Sequence, residues 1–227
     1  VNPSFIPKIE AYGIPKSKIT YIPNFVSPVE FPDRSIQDKL ALREKYQLPE
    51  DKFIVFGSGQ VQERKGVDDF VNLAKKNPHV QFVWAGGFSF GPMTDGYDHF
   101  KKIVENPPKN VIFTGIVKRT EIADYLNLAD LFFLPSFDEL FPMSVLEAFS
   151  CGVPVLLRNL ELYEAIIAGK YVGADDLTGF NQALQKLMTD ADFYKHYQQL
   201  ARQAAQEYSP EHLAKIWADF YTVQAKL

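Results

Sequence analysis

Glu139 and Glu147 stand with seven residues between them in the stretch Leu134-Pro-Ser-Phe-Asp-Glu-Leu-Phe-Pro-Met-Ser-Val-Leu-Glu-Ala-Phe-Ser-Cys-Gly-Val-Pro154. An ionised carboxylate accepts two hydrogen bonds from a vicinal diol such as ribose or hexose carries, and bonds to a charged group contribute roughly 1.5–3 kcal/mol each. Around these glutamates the chain reads as strand, loop and helix. The apolar run Asp130 to Leu134 predicts a buried strand that stops at Pro135, followed by a polar loop from Ser136 to Glu139. A helix follows with Val145, Leu146, Ala148 and Phe149 on its apolar face, and Gly152 and Pro154 close it before a strand from Val155 to Leu157. The first N–H groups of such a helix, here Phe141 to Ser144, have no intrahelical partner and point out of the carboxyl edge of a parallel sheet, where they suit a phosphate. Carboxylates beside a phosphate repel it, so they are better read as acceptors for sugar hydroxyls. Taken singly, each glutamate reads as readily as a solvated loop or helix residue; the combination points to a sugar nucleotide.

The cationic counterpart lies in Gly57-Ser-Gly-Gln-Val-Gln-Glu-Arg-Lys-Gly66, directly after an apolar strand and before a helix. A dinucleotide fingerprint G-x-G-x-x-G fits at Gly57 and Gly59 but meets Gln62, and a P-loop requires Gly-Lys-Ser/Thr where this chain has Lys65-Gly66-Val67. The loop's two cations, Arg64 and Lys65, are adjacent. In an extended loop, however, neighbouring side chains point to opposite sides. A third loop, Ala85-Gly86-Gly87-Phe-Ser-Phe-Gly-Pro-Met-Thr-Asp-Gly96, combines glycines that let a ligand approach the backbone with Phe88, Phe90 and Met93. These apolar side chains would line a cleft, meet an acyl group or fold over one another. A fourth, Phe113-Thr-Gly-Ile-Val-Lys118, ends another apolar strand.

The elements that must position these loops alternate along the chain. Strands are expected at Phe53–Phe56, Val80–Ala85, Val111–Thr114, Leu131–Leu134 and Val155–Leu157. Helices are expected at Val67–Lys75, Tyr97–Val104 and Thr120–Leu128, the last with Thr120 as N-cap. Such alternation indicates an α/β fold with a parallel, doubly wound, Rossmann-like sheet. Ahead of it the sequence reads as a short helix up to Gly13, a short strand Lys18–Ile22, a Pro-rich connector through Pro32, and a helix from Ser35 to Tyr46. Beyond Asp176 it turns helical: Leu177–Met188, Asp192–Tyr208 and Pro210–Ala225, with Ser209 as N-cap of the last.

Composition narrows the classes. The 227 residues are 46% hydrophobic and 23% charged, enough for a full core. A net charge of −4 argues against a nucleic-acid binder. The sequence has no apolar run of 18 residues and no export signal. The single cysteine, Cys151, excludes an internal disulfide and fits a small buried thiol in a reducing compartment, and the four histidines lack metal-ligand spacing.

Pro135-Ser136, Glu139, Glu147-Ala148 and Cys151-Gly-Val-Pro154 together resemble the E-x7-E signature of the retaining glycosyltransferases of family 4, which have the GT-B fold. The resemblance covers the carboxyl-terminal, donor-binding half of such an enzyme, and its wording is nearest to bacterial synthases that add hexose to diacylglycerol or glucosyl-diacylglycerol. It implies a hexosyltransferase using UDP-glucose or UDP-galactose, with no metal or other cofactor. It further implies a lipid or glycolipid acceptor bound through another domain, no nucleic acid, and a cytoplasmic location, peripheral on the inner face of the membrane. By this resemblance residues 1–30 are the tail of an amino-terminal domain and the hinge, 31–208 the donor-binding domain, and 209–227 a helix packing back toward the amino-terminal domain. Lys65 falls on the diphosphate-binding Lys of the family's "G-R-x-x-x-x-K-G" loop, and Gln60 stands where the family usually has an Arg. The implied catalytic residues are Glu139 and Lys65. The implied donor contacts are Gly59, Gln60, Arg64, Lys65, Gly86, Gly115, Val117, Glu139, Leu140, Phe141, Met143, Ser144, Val145 and Glu147. In that arrangement Glu147 takes the ribose diol, Glu139 the transferred sugar and the developing positive charge at its anomeric carbon, and main chain at Gly115 and Val117 the base. A nucleotide-sugar-binding module without catalysis is the rival reading, motivated by Gln60. A dehydrogenase is disfavoured, since no acidic residue ends the second strand.

Overall fold

The computed structural model describes residues 2–226. Six strands, β1 (Ile54–Ser58), β2 (Gln81–Ala85), β3 (Val111–Gly115), β4 (Leu131–Leu134), β5 (Val155–Arg158) and β6 (Val172–Ala174), form one sheet in the order β3-β2-β1-β4-β5-β6. Every neighbouring pair is parallel. Strand order reverses between β1 and β4, and in such sheets ligands bind outside the carboxyl ends of the strands at that switch point. The central strands β1, β2 and β4 are buried over their whole length, as continuous apolar runs between two helical layers must be.

The helices are α1 (Ile6–Ala11), α2 (Ile36–Lys45), α3 (Val67–Lys76), α4 (Tyr97–Glu105), α5 (Arg119–Leu128), α6 (Met143–Ser150), α7 (Glu161–Ile166), α8 (Leu177–Thr189), α9 (Ala191–Glu207) and α10 (Pro210–Gln224). α2 packs with α5, α3 with α8, and α6 with α9. Phe70 of α3 sets its ring against Phe82 and Trp84 of β2 and Phe133 of β4 at centroid distances of 5.3, 5.0 and 5.8 Å, which fastens the first helix after β1 to two strands. Ser35 caps α2 through a reciprocal pair with Asp38, and Ser209 caps α10 as the sequence predicts.

One charged residue is built into this core. Arg43, on α2, keeps only 5% of its side chain exposed. It donates to the carbonyls of Leu128, Glu50 and Lys52 at 3.0, 2.9 and 3.1 Å, and to Asp130 Oδ2 at 2.7 Å. Asp130 also accepts from Lys39 Nζ at 2.6 Å and from the Ile54 N–H at 2.7 Å. This knot joins α2 to the entrances of β1 and β4.

Several expectations need correction. Lys18–Ile22 is not a strand: Lys16–Lys18 form a 3-10 turn and the residues after it belong to no regular element. The Val26 N–H bonds to the Tyr208 carbonyl at 3.0 Å, so the chain here lies beside a helix end; Ile22 and Val26 are buried, while Ile19 and Tyr21 are half-buried. Thr120 is not the N-cap of α5, which starts at Arg119; Glu121 Oε2 accepts the Lys118 N–H at 2.9 Å, and Lys118, two residues earlier, is the N-cap. The sheet has a sixth strand, β6, and a short helix, α7, that the pattern did not predict. β6 has three residues with Gly173 in the middle, too short to show a periodicity.

Candidate functional site

The site is built at the carboxyl edge of the sheet, where three glycines let the strand ends meet. The Gly59 N–H bonds to the Ala85 carbonyl, and the Gly86 N–H to the Gly115 carbonyl, both at 2.9 Å. Gly59 and Gly86 have φ of +141° and +143°, in the region that favours glycine. A Cβ on Gly86 would lie 1.8 Å from the Gly59 carbonyl oxygen, which is held in place by the Trp84 indole N–H at 3.0 Å. Gly86→Ala is therefore expected to push the β1 loop out of position, at a local cost of about 1–3 kcal/mol. Thermal denaturation should show a lower midpoint, and a ligand held by that loop should bind less tightly.

At the switch point the loops after β1 and β4 are fastened to one another. Gly66 has φ +69°, and a Cβ there would come within 2.3 Å of the Pro135 carbonyl oxygen. The Phe137 N–H donates to the Arg64 carbonyl at 2.9 Å. Arg64 Nη1 donates to the Asp138 carbonyl at 2.7 Å and lies 3.9 Å from Glu139 Oε2. Lys65 Nζ meets Glu139 Oε1 at 2.7 Å, with the two side chains 15% and 7% exposed. Arg64 and Lys65 thus reach the same carboxylate. The expectation that they diverge assumed an extended loop, whereas Glu63–Lys65 is a 3-10 turn, in which successive side chains are rotated by about 120° instead of pointing to opposite sides.

α6 begins without a side-chain cap; the Met143 N–H donates to the Phe141 carbonyl and the Val145 N–H to the Pro142 carbonyl, both at 3.0 Å. Met143 and Ser144 are half-buried there, whereas the Val145 side chain is fully buried and can offer a ligand only its main chain. Leu140 is largely exposed, and Phe141 is half-buried with its ring 6.5 Å from that of Tyr208. Gln60 and Val117 are half-buried, and Val117 packs against the core beside Gly115. A cavity of about 210 Å³ adjoins Glu139, lined also by Asp138, Leu140, Glu161 and Lys8.

Glu147 lies one turn into α6 with its side chain 8% exposed, and its Oε1 accepts from Arg119 Nη1 at 2.9 Å. Burial raises its pKa above the usual glutamate value, and the Arg119 charge opposes that rise. Arg119 also donates from Nε to Glu30 Oε2 at 3.0 Å, and its guanidinium carbon sits 4.7 Å from the Phe31 ring centroid.

Four of the predicted residues fall in two clusters, Lys65 with Arg64 and Glu139, and Glu147 with Arg119. Sequence reasoning missed Arg119, Glu30, Ser136 and Tyr163. The Ser136 and Tyr163 hydroxyls are buried without a hydrogen-bond partner among the described residues, and after burial the Glu139 charge is the next cause that raises the Tyr163 pKa. Pro135-Ser136 was a usable signal for the first. No periodicity or spacing connects Arg119 to Glu147 or brings Tyr163 to Glu139. Among the described residues no three His, Cys, Asp or Glu side chains are grouped as a metal site requires. Among the described residues no helix is long and apolar enough to cross a membrane.

Comparison with known proteins places the chain in a family. Residues 38–207 match the model of the glycosyl transferases group 1. The chain is 48% identical over 227 residues to the alpha-galactosylglucosyldiacylglycerol synthase of Streptococcus pneumoniae, spanning all of this chain and 61% of that one. It is 32% identical over 158 residues to the processive diacylglycerol alpha-glucosyltransferase of Acholeplasma laidlawii, spanning 68% of this chain and 46% of that one. Among solved structures, the sucrose-phosphate synthase of Thermosynechococcus elongatus superposes with a TM-score of 0.80 at 22% identity, over 97% of this chain and 57% of that one. The Anabaena protein HepE, in complex with UDP-glucose, superposes with a TM-score of 0.83 at 16% identity, over 100% and 62%. These neighbours share the Rossmann-like half of the GT-B fold. The matched span holds the Lys65, Glu139 and Glu147 loops, and the chain belongs to the glycosyl transferases group 1 family.

Proposed function

We propose that this chain is the donor-binding half of a retaining glycosyltransferase that moves a hexose from UDP-glucose or UDP-galactose to a diacylglycerol or glycolipid acceptor. The observation that carries the reading is the Lys65–Glu139 ion pair at the strand-order reversal, within the same edge as the buried Glu147. In this reading the donor diphosphate takes over Lys65 and the uncapped start of α6, and their positive charge stabilises the leaving UDP. Glu139, released, accepts hydroxyl protons from the hexose and faces the anomeric carbon as positive charge develops there. Glu147 accepts the ribose hydroxyls, and main chain at Gly115 and Val117 meets the base. Arg64 beside Glu139 provides the second cation that Gln60 does not, which weakens the rival reading of a binding module without catalysis. Charge neutralisation then comes from the protein's own groups, with no metal.

The acceptor reading draws on the two diacylglycerol enzymes among the relatives, and the chain spans 61% and 46% of their lengths. Residues 31–208 form the donor domain in this proposal. Segments 1–30 and 209–227 lie toward the rest of the enzyme, which holds the acceptor at the membrane surface. The test is a donor screen on the complete enzyme with diacylglycerol and glucosyl-diacylglycerol, with the product's anomeric configuration read by NMR. An α-linked glycolipid from a UDP-hexose is expected. Transfer from another nucleotide sugar only, or a β-linked product, would contradict the assignment.

The two glutamates should separate. Glu139→Ala frees Lys65 for phosphate, so UDP affinity is expected to hold or rise while turnover of the complete enzyme falls by about tenfold or more. Glu147→Ala should weaken UDP and UDP-sugar alike, since both carry ribose. Calorimetry for binding and product formation for turnover distinguish these outcomes, and an equal loss of both in Glu139→Ala contradicts its assignment to the sugar.

A further inference from the structure

Glu147 is a buried carboxylate on an apolar helix face, and such a group tends to take up a proton and lose its strength as an acceptor. Its hydrogen-bond partner is Arg119, at the first position of α5, through Oε1 at 2.9 Å. Arg119 is held from three sides. Glu30 in the connector accepts from Nε at 3.0 Å, Glu147 accepts from Nη1, and the Phe31 ring lies under the guanidinium. A planar guanidinium fits such a bridge, donating along two edges while stacked on an aromatic face; an ammonium does not. The Arg119 side chain is 59% exposed, so its place is set by these partners rather than by the core.

We propose that Arg119 is a positioning residue for donor recognition: anchored by Glu30 and Phe31, it holds the Glu147 carboxylate in the orientation in which its second oxygen receives the ribose diol. The proposal rests on the reading of Glu147 as the ribose acceptor.

The charged groups that bear on Glu147 are Arg119 and Glu30, the first favouring its ionised form and the second opposing it. α9, packed on the other side of α6, brings Arg202, which is paired with Asp33 at 2.7 Å. Cys151, at the end of α6, is a buried thiol with a pKa raised by that burial, and it stays uncharged. Arg34 lines the same cavity as Arg119 and Glu30 but is paired with Asp124 at 3.0 Å, and among the described residues no cation other than Arg119 lies within 4 Å of the Glu147 carboxylate. Without Arg119, Glu147 should be protonated over a wider range of pH, and the deficit should diminish as pH rises and the carboxylate ionises again.

The test compares UDP with 2′-deoxy-UDP by calorimetry on this chain between about pH 6 and 9, in wild type and in Arg119→Met, Arg119→Lys and Glu147→Ala. Wild type is expected to favour UDP by about tenfold, the worth of one hydrogen bond to a charged acceptor. In Arg119→Met that preference should collapse at pH 6–7 and return in part toward pH 9. Arg119→Lys should lie between the two, because a single ammonium supports Glu147 without the bridge to Glu30. A purely structural role would lower affinity for both nucleotides equally and leave the pH profile unchanged, and that result overturns the proposal. If Arg119→Met cannot be purified folded, the Arg119→Lys profile decides, and a wild-type ratio at every pH overturns the inference. If wild type binds UDP but Glu147→Ala keeps the preference for ribose, the reading of Glu147 fails, and the proposal fails with it.

Discussion

Lys65→Ala is expected to lower turnover of the complete enzyme by about a hundred- to a thousandfold, the loss that follows removal of one preorganised group from a developing anion. It should also weaken UDP binding to this chain by roughly 1.5–3 kcal/mol, tenfold to more than a hundredfold. The Lys65 ammonium is 15% exposed and reaches its place through a turn fixed by Gly66 against Pro135, so little side-chain freedom is lost when phosphate arrives. The Lys65 charge is matched by Glu139 at 2.7 Å, and in the proposed complex a diphosphate would take the place of that carboxylate with a more highly charged group. Truncation also leaves Glu139 with Arg64 at 3.9 Å as its nearest cation, so binding must be read on protein shown to be folded. Calorimetric titration of UDP measures the first effect and initial rates the second. Unchanged affinity would remove Lys65 from the site. Arg64→Ala is the companion: a loss as large as that of Lys65→Ala would make Arg64 an equal partner in holding the diphosphate.

Arg43→Met is expected to have the largest effect on stability, about 3–5 kcal/mol, as when one partner of a buried ion pair is removed. Three carbonyls, at Leu128, Glu50 and Lys52, lose their donor, and Asp130 keeps only Lys39 and the Ile54 N–H. Methionine fills much of the same volume, so the loss reflects unpaired polar groups more than a cavity. Urea denaturation followed by circular dichroism reads the change. Lys45→Ala, which removes an exposed partner of Asp124, should stay near the wild-type midpoint and serves as the control. Equal midpoints for Arg43→Met and wild type would mean that the knot at Asp130 contributes nothing.

What was legible in the sequence follows the same physics. The strands of a parallel sheet are buried on both faces, so Ile54–Phe56 and Leu131–Leu134 stand out as continuous apolar runs. Lys65-Gly66 was readable because the turn demands a glycine and the following helix starts at once. The false strand at Lys18–Ile22 shows the limit: alternating apolar residues, of which Ile22 is buried and Ile19 and Tyr21 are half-buried, read like a strand without belonging to a sheet. Arg119 escaped because its partner lies 28 residues away on another helix, and tertiary pairing leaves no local trace. The same holds for Arg43, which reads as one more charged residue on an amphipathic helix until Asp130, 87 residues on, arrives beside it.

The central claim is that the edge carrying Lys65, Glu139 and Glu147 is a uridine-diphosphate site. Its most direct test is a calorimetric titration of UDP into this chain, repeated in Lys65→Ala and Glu147→Ala and with NAD as competitor. The account predicts one UDP site, weakened at least tenfold by either substitution and not displaced by NAD. Binding of NAD in preference to UDP, or UDP binding that neither substitution alters, would contradict it.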